Sequence, residues 1–391
     1  MVHPRGTARA VPRGVRELVT IARMEHLLER ENELAVLAEA VAAAREGRGA
    51  LVLVSGEAGI GKTSLLRGLR SRVGDSAAFL VGACEPLSVP VPLWPLRDLA
   101  SAAGAGDLAE LEGGDRPALA RALLSALQAR SPAVAVVEDA HWADPGTLDV
   151  VRLLARRAED AGIVIVVTYR DDELRANPAL EMLVGDLATS PAVRRIALRP
   201  LSAGAVSALC EPAGVDSREL SRLTGGNPFL VVEALAASEA PPVSVRDATL
   251  ARVARLGSPA REVVEAAAVI GQRFTPALLA AVAPDSVDAA EEALARGVLT
   301  DYGNALGFRH ELIRQAVEGS VSAPRRAELH ARVVSALVQR RDAADNARLA
   351  HHAELAGLLA ESARYATLAA TEAERLGALG EATMQLERAL R

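Results

Sequence analysis

Leu51-Val52-Leu53-Val54-Ser55-Gly56-Glu57-Ala58-Gly59-Ile60-Gly61-Lys62-Thr63-Ser64-Leu65-Leu66 is the stretch that decides the fold. Its first five residues form an apolar, β-branched run suited to a buried parallel strand. The glycine-spaced segment Gly56 to Thr63 matches G-x-x-x-x-G-K-[ST], in which backbone N–H groups turn inward around a polyphosphate at the positive end of the next helix. Leu65, Leu66 and Leu69 then recur at helical spacing. The motif places Lys62 on the β- and γ-phosphates and the Thr63 hydroxyl on Mg²⁺, with Ser64 following in the first helical turn. Lys62 is the one lysine among 44 basic residues, the rest being arginine. A compact ammonium reaches between phosphate oxygens where a planar guanidinium needs more room and a fixed fork geometry.

Working outward, strand candidates follow at 78–81, 133–137, 163–167 and 195–198, separated by helical segments. This alternation predicts a parallel sheet covered by helices on both faces, with ligand at the carboxyl ends of the strands. The strand at 133–137 delivers Glu138 and Asp139 to that end. A Mg-nucleotide site needs such a pair: one acid holds the metal's water shell and the other orients a water for attack, and either residue fits either role. Arg170, at the end of the fourth strand, is placed to reach the γ-phosphate region; its bland alternative is a salt bridge to Asp171 or Asp172. Asp144-Pro145 reads as a helix cap with proline at the first helical position, and Leu148, Val151 and Leu154 as its buried stripe. His141 reads either as a sensor of the site or as an interior hydrogen-bonded imidazole.

Composition bounds the rest. With 391 residues, half of them apolar, two or three domains are expected, and 2% aromatics imply a core of Ala, Val and Leu. A net charge of -6 gives no global attraction to nucleic acid. Cys84 and Cys210 lack ligand-like spacing, and neither a signal sequence nor an apolar run of about 18 residues is present, so a cytoplasmic, non-membrane protein is expected. Residues 1–23 carry Arg5, Arg9, Arg13, Arg16 and Arg23 with little apolar pattern and read as a disordered basic tail. From Glu29 a first helix opens. Beyond the 24–200 unit, 201–246 reads as helices stopped by Gly225-Gly226 and Pro228, and 247–324 as helices followed by a hairpin turning near Gly303-Asn304, as in a winged helix. That segment mixes acids with its arginines, which favours an internal regulatory module over a DNA reader. Residues 325–391 are alanine-rich and helical, like the opening of a tetratricopeptide-like array. His351 and His352 are adjacent and have no suitably spaced acid, so a metal site is not expected there.

The phosphate loop, Val136 to Asp144, Thr168-Tyr169-Arg170, Leu223 to Phe229 and Phe308 to Val317 together resemble the signal-transduction ATPases with numerous domains, an AAA-type group. The likeness runs over about residues 24–391 and is strongest to the large ATP-binding regulators of the LuxR type. It implies a P-loop ATPase domain (24–200), a helical lid (201–246), a winged-helix domain (247–324) and tetratricopeptide-like repeats (325–391). By resemblance, Pro228 packs near the adenine, Arg170 is the sensor arginine and His310 faces the β-phosphate of ADP. Arg30 falls in the motif before the first helix, although Glu29 stands where glycine is usual. Glu138 departs from the commoner Asp-Asp pair, which implies slow or absent hydrolysis. The implied function is an ATP/ADP- and Mg²⁺-dependent switch, off with ADP and on with ATP, that self-associates and receives an inducer through its repeats. The C-terminal helix-turn-helix of such regulators has no counterpart before Arg391, so a fragment of a longer regulator is one expectation. The alternative is a stand-alone ATPase, or a DNA-binding AAA-type ATPase that uses its winged helix.

Overall fold

The structure is a computed structural model, described here for residues 27–391 apart from 88, 106–114, 189, 191–192, 237–244, 285, 304, 309–310 and 341–345. The basic tail expected at 1–23 lies outside these residues. Helix α1 (Glu31–Arg45) precedes β1 (Ala50–Ser55), α2 (Lys62–Val73), β2 (Ala78–Ala83), α3 (Trp94–Ala103), α4 (Arg116–Gln128), β3 (Ala133–Glu138), α5 (Pro145–Ala158), β4 (Ile163–Tyr169), α6 (Pro178–Asp186) and β5 (Val193–Ala197). The five strands form one sheet in the order β2-β3-β4-β1-β5, every pairing parallel.

The apolar strands follow from burial on both faces. Side chains alternate across a strand. Leu51, Leu53, Ala135, Val137, Ile163, Ile165 and Val167 therefore pack with α3 to α6, while Val52, Val54, Val134, Val136, Val164 and Val166 pack with α1 and α2. The Asp144 cap is present: its carboxylate accepts the Thr147 N–H at 3.0 Å at the start of α5. Leu148, Val151 and Leu154 are buried beneath it.

Strands β2, β3 and β4 run one or two residues beyond their expected ends, and two elements start two residues away from expectation. The first helix starts at Glu31 rather than Glu29, because Glu29 takes a left-handed backbone (φ 55°). The last strand covers 193–197 rather than 195–198. Its pairing with β1 begins at Val193, opposite Leu51, and Leu198 continues only as an N–H donated to Ser55 O.

Helices α7 (Ala203–Cys210), α8 (Ser217–Thr224) and α9 (Pro228–Ala236) follow. They share a small core of Leu201, Val206, Cys210, Leu220, Val231 and Leu235. Cys84 and Cys210 are both free and buried. The next unit contains α10 (Val245–Ala254), α11 (Ser258–Ile270), β6 (Arg273–Phe274), α12 (Pro276–Val282), α13 (Ser286–Ala295), β7 (Leu299–Asp301), β8 (Leu306–Phe308) and α14 (Glu311–Glu318). The hairpin expected near Gly303 is β7–β8, antiparallel, with the two-residue β6 added against β8. Helices α15 (Ala323–Arg340), α16 (Asn346–Leu355), α17 (Leu359–Arg375) and α18 (Leu379–Ala389) complete a mostly helical C-terminal part. It folds back on the sheet domain, where Leu376 joins the core formed with α3 to α6. No helix of the described residues is long and apolar enough to cross a membrane.

Candidate functional site

The sheet order assembles the site. Strand β4 lies between β1 and β3. The loop after β1, the acids after β3 and Arg170 after β4 therefore emerge side by side at the carboxyl edge.

The loop is shaped by its glycines. Gly59 has φ 77° and Gly61, at the N-terminal cap of α2, has φ 108°; a Cβ on Gly59 would stand 2.8 Å from the Cβ of Phe229. Helix α2 opens without a side-chain cap, so its first N–H groups face the loop, the arrangement that receives phosphate. Lys62 is buried, its Nζ donating to Gly56 O at 2.6 Å and Glu57 O at 3.0 Å. Burial lowers its pKa, opposed by the charge of Asp139.

The acids divide by geometry. Glu138 Oε1 accepts the Thr63 hydroxyl at 2.7 Å. Asp139 has a left-handed backbone (φ 58°), and its N–H donates to Thr168 Oγ1 at 3.0 Å. Burial, then the neighbouring Glu138 charge, pushes the Asp139 carboxyl up to about 7. Thr63 and Glu138 offer adjacent hard oxygens, which suit Mg²⁺. No group of three or more His, Cys, Asp or Glu able to hold a metal occurs among the described residues, but Mg²⁺ usually keeps waters and phosphate oxygens beside one or two protein ligands. The donor set fits that cation, and the glycine loop fits a polyphosphate.

Arg170 pairs with neither Asp171 nor Asp172. Its guanidinium bonds Glu173 at 2.5 Å and lies 5.2 Å from the Trp142 ring centroid. His141 is interior, yet neither ring nitrogen has a hydrogen-bond partner. Glu173 stands 3.7 Å from Nε2, and burial, followed by the charges of Arg170 and Lys62, holds the His141 pKa down at about 3. The expectation of a hydrogen-bonded imidazole is thus half met.

Arg30 is buried, with its guanidinium on backbone carbonyls: Arg199 O at 2.6 Å, Glu29 O at 2.9 Å and Ile60 O at 3.3 Å. It ties the entry of α1 to the phosphate loop and to the chain after β5. The left-handed turn at Glu29 explains why glycine suits this position. The Glu29 carboxylate accepts the Ser202 N–H at 2.8 Å and the Ser202 hydroxyl at 2.5 Å, which helps hold a conformation unfavourable to a residue with a Cβ.

From the following helices, the Asn227 side chain donates to Ala58 O at 2.9 Å, and the Phe229 N–H to Gly59 O at 3.3 Å. Pro228, between them, is half-buried at the first turn of α9. His310 lies outside the described residues.

The sequence reading missed a second approach to the site. Arg273, on β6, donates to Glu138 Oε2 at 2.6 Å. Its guanidinium lies 4.7 Å from the Tyr302 ring centroid. The Tyr302 hydroxyl receives a bond from Arg67 of α2 at 3.1 Å and donates to Phe308 O at 3.2 Å. A two-residue strand carries no periodic signal, and 135 residues separate Arg273 from Glu138, so nothing local marks it.

With this geometry in view, the comparisons define the class. Residues 26–167 match the AAA ATPase domain family. An uncharacterized protein of Rhizobium meliloti (strain 1021) is 31% identical over 446 aligned positions, covering 93% of this chain and 42% of its own length. A signal transduction ATPase with numerous domains from Pyrococcus horikoshii, which carries a tetratricopeptide repeat sensor, superposes with a TM-score of 0.59 at 16% identity, over 94% of this chain and 58% of that one. The second likeness is one of fold. The chain thus contains an AAA-type ATPase domain, and it spans 42% and 58% of the lengths of these two proteins.

Proposed function

We propose that the chain is the ATP-binding signalling module of a bacterial transcriptional regulator of the LuxR-like kind, a switch held off with ADP and turned on with ATP, with slow or no hydrolysis. The observation that carries this reading is convergence: Arg30, Asn227 with Phe229, and Arg273 come from three separate parts of the chain and all meet the phosphate loop or its acids. A bound nucleotide at that junction changes how those parts sit, which a simple hydrolase does not need.

The residues take these roles. Gly56, Glu57, Ala58, Gly59, Ile60 and Gly61 wrap the phosphates with backbone N–H groups, joined by Ser64 at the start of α2. Lys62 exchanges its carbonyl partners for the β- and γ-phosphates. Thr63 and Glu138 hold Mg²⁺, which neutralises phosphate charge when bound. Asp139 orients the attacking water. Arg170 reports the γ-phosphate after leaving Glu173. His310 faces the β-phosphate, while Pro228 and Arg30 border the adenine. Residues 247–324 act as a winged-helix module inside the switch, and 325–391 as the repeats that receive the inducer.

A ligand shifts such an equilibrium only through its differential affinity for the two states. The test is size analysis by light scattering with Mg-ADP and with a non-hydrolysable ATP analogue. Assembly is expected with the analogue alone and is lost in Lys62→Ala. One size under all conditions in a chain that binds both nucleotides would sink the switch.

A further inference from the structure

We propose that Arg273 and Mg²⁺ are alternative partners of Glu138, so that docking of the β6–β8 sheet on the ATPase domain and metal binding at Thr63 and Glu138 exclude one another. The inference rests on the metal placement proposed above, and it adds what the closed form does to that placement.

Glu138 is nearly fully enclosed, and its two oxygens are both engaged: Oε1 accepts from Thr63 at 2.7 Å and Oε2 from Arg273 at 2.6 Å. A guanidinium bonded to a buried carboxylate neutralises it and uses the lone pairs that a cation would use. A cation held by Thr63 and Glu138 would draw on the same carboxylate charge that Arg273 now pairs with. Removing either cation leaves the carboxylate buried without a counter-charge, so each state needs one of the two.

Arg273 is also held for this position. The Tyr302 ring packs on its guanidinium at 4.7 Å, and the Tyr302 hydroxyl is fixed between Arg67 and Phe308 O. The pairing therefore forms only when β6 and the β7–β8 hairpin sit against α2. Burial works against the charge on Arg273, but Glu138 outweighs it and the pKa rises, so the cation is permanent. Metal that displaces Arg273 thereby removes the main ionic bond between the small sheet and the acids, and the sheet loosens. The exclusion is reciprocal: whatever holds the sheet down weakens metal binding by the same factor.

The experiment uses the whole chain loaded with ADP and Mn²⁺ as the probe, with free Mn²⁺ followed by electron paramagnetic resonance. Arg273→Gln should bind Mn²⁺ about tenfold more tightly than the wild type, with Arg273→Lys between them. In the wild type alone, hydrogen exchange at residues 272–275 and 299–303 should quicken on adding Mn²⁺ to the ADP form. Equal Mn²⁺ affinity in a folded Arg273→Gln chain, or exchange unmoved by metal in the wild type, would overturn the exclusion. A wild type that binds neither ADP nor Mn²⁺ would instead overturn the site reading, and this inference with it. Neither readout depends on turnover or on assembly.

Discussion

Two surfaces of the ATPase domain are covered by later parts of the chain, and they are built of different materials. At the phosphate loop the contacts are polar and ionic: Asn227 to Ala58 O, Arg67 to Tyr302 and Arg273 to Glu138. On the flank, the turn after α17 inserts Leu376 into the apolar core formed with α3 to α6, with Arg97–Glu372 at its edge. The difference teaches which contact a nucleotide can reach. On the proposed reading a metal competes for Glu138 and phosphate for Lys62, whereas neither ligand touches an apolar contact away from the loop. On that reading the loop-side contact is the nucleotide-sensitive one and the flank is not.

Leu376→Asp is the largest expected perturbation. Placing a carboxylate in that core should weaken docking of the C-terminal helices by about 3 kcal/mol or more. Amides of α17 should lose exchange protection while ADP affinity at the loop holds. Loss of both together would show that the two surfaces act as one, and the comparison would fail.

The same contrast explains what the sequence could tell. The sheet was legible because each of its inner strands is buried on both faces and must be apolar throughout; Ile163 to Val167 admits little else. Gly56 to Thr63 was legible because phosphate binding demands particular residues at consecutive positions. Arg273 was not, since its role depends on a fold bringing β6 across to β3, and an arginine in Gly271-Gln272-Arg273-Phe274 looks like any other. Glu29 was half legible: the departure from glycine is visible, but its left-handed backbone and its bonds to Ser202 are not. Nor does the sequence distinguish Glu138 from Asp139, because the Thr63 hydroxyl that bonds Glu138 alone reaches it across the fold.

A milder test uses pH on the fixed side. His330 and His352, on α15 and α16, are buried with Nδ1 atoms 2.8 Å apart, and the Nε2 of each lacks a hydrogen-bond partner. Burial, then Arg326 and Arg314, lowers the His330 pKa to about 4; burial, then Arg388, lowers that of the adjacent His351 to about 3. An unfolded histidine titrates near about 6.5. Between these values the unfolded state binds more protons, so stability is fully present above about 6.5 and falls as the pH drops toward 4. Protection of α16 amides, taken relative to the intrinsic exchange rate at each pH, should therefore fall between pH 6.5 and 4, with a shallower slope in His330→Gln. A flat profile would mean that these imidazoles are not held neutral by the packing.

The smallest effect is expected from Arg97→Ala. The pair with Glu372 spans the same flank as Leu376, but at 3.3 Å and with side chains 24% and 36% exposed it competes with water and salt. Such pairs contribute about 0–1 kcal/mol, so α17 should stay docked and its exchange should change little, least of all in high salt. If Arg97→Ala released α17 as fully as Leu376→Asp, the flank would be ionic after all, and open to the same charge competition as Glu138. A small effect beside a large one at Leu376 would instead show that the flank is held by its apolar contact, unlike the buried Arg273–Glu138 pair at the loop.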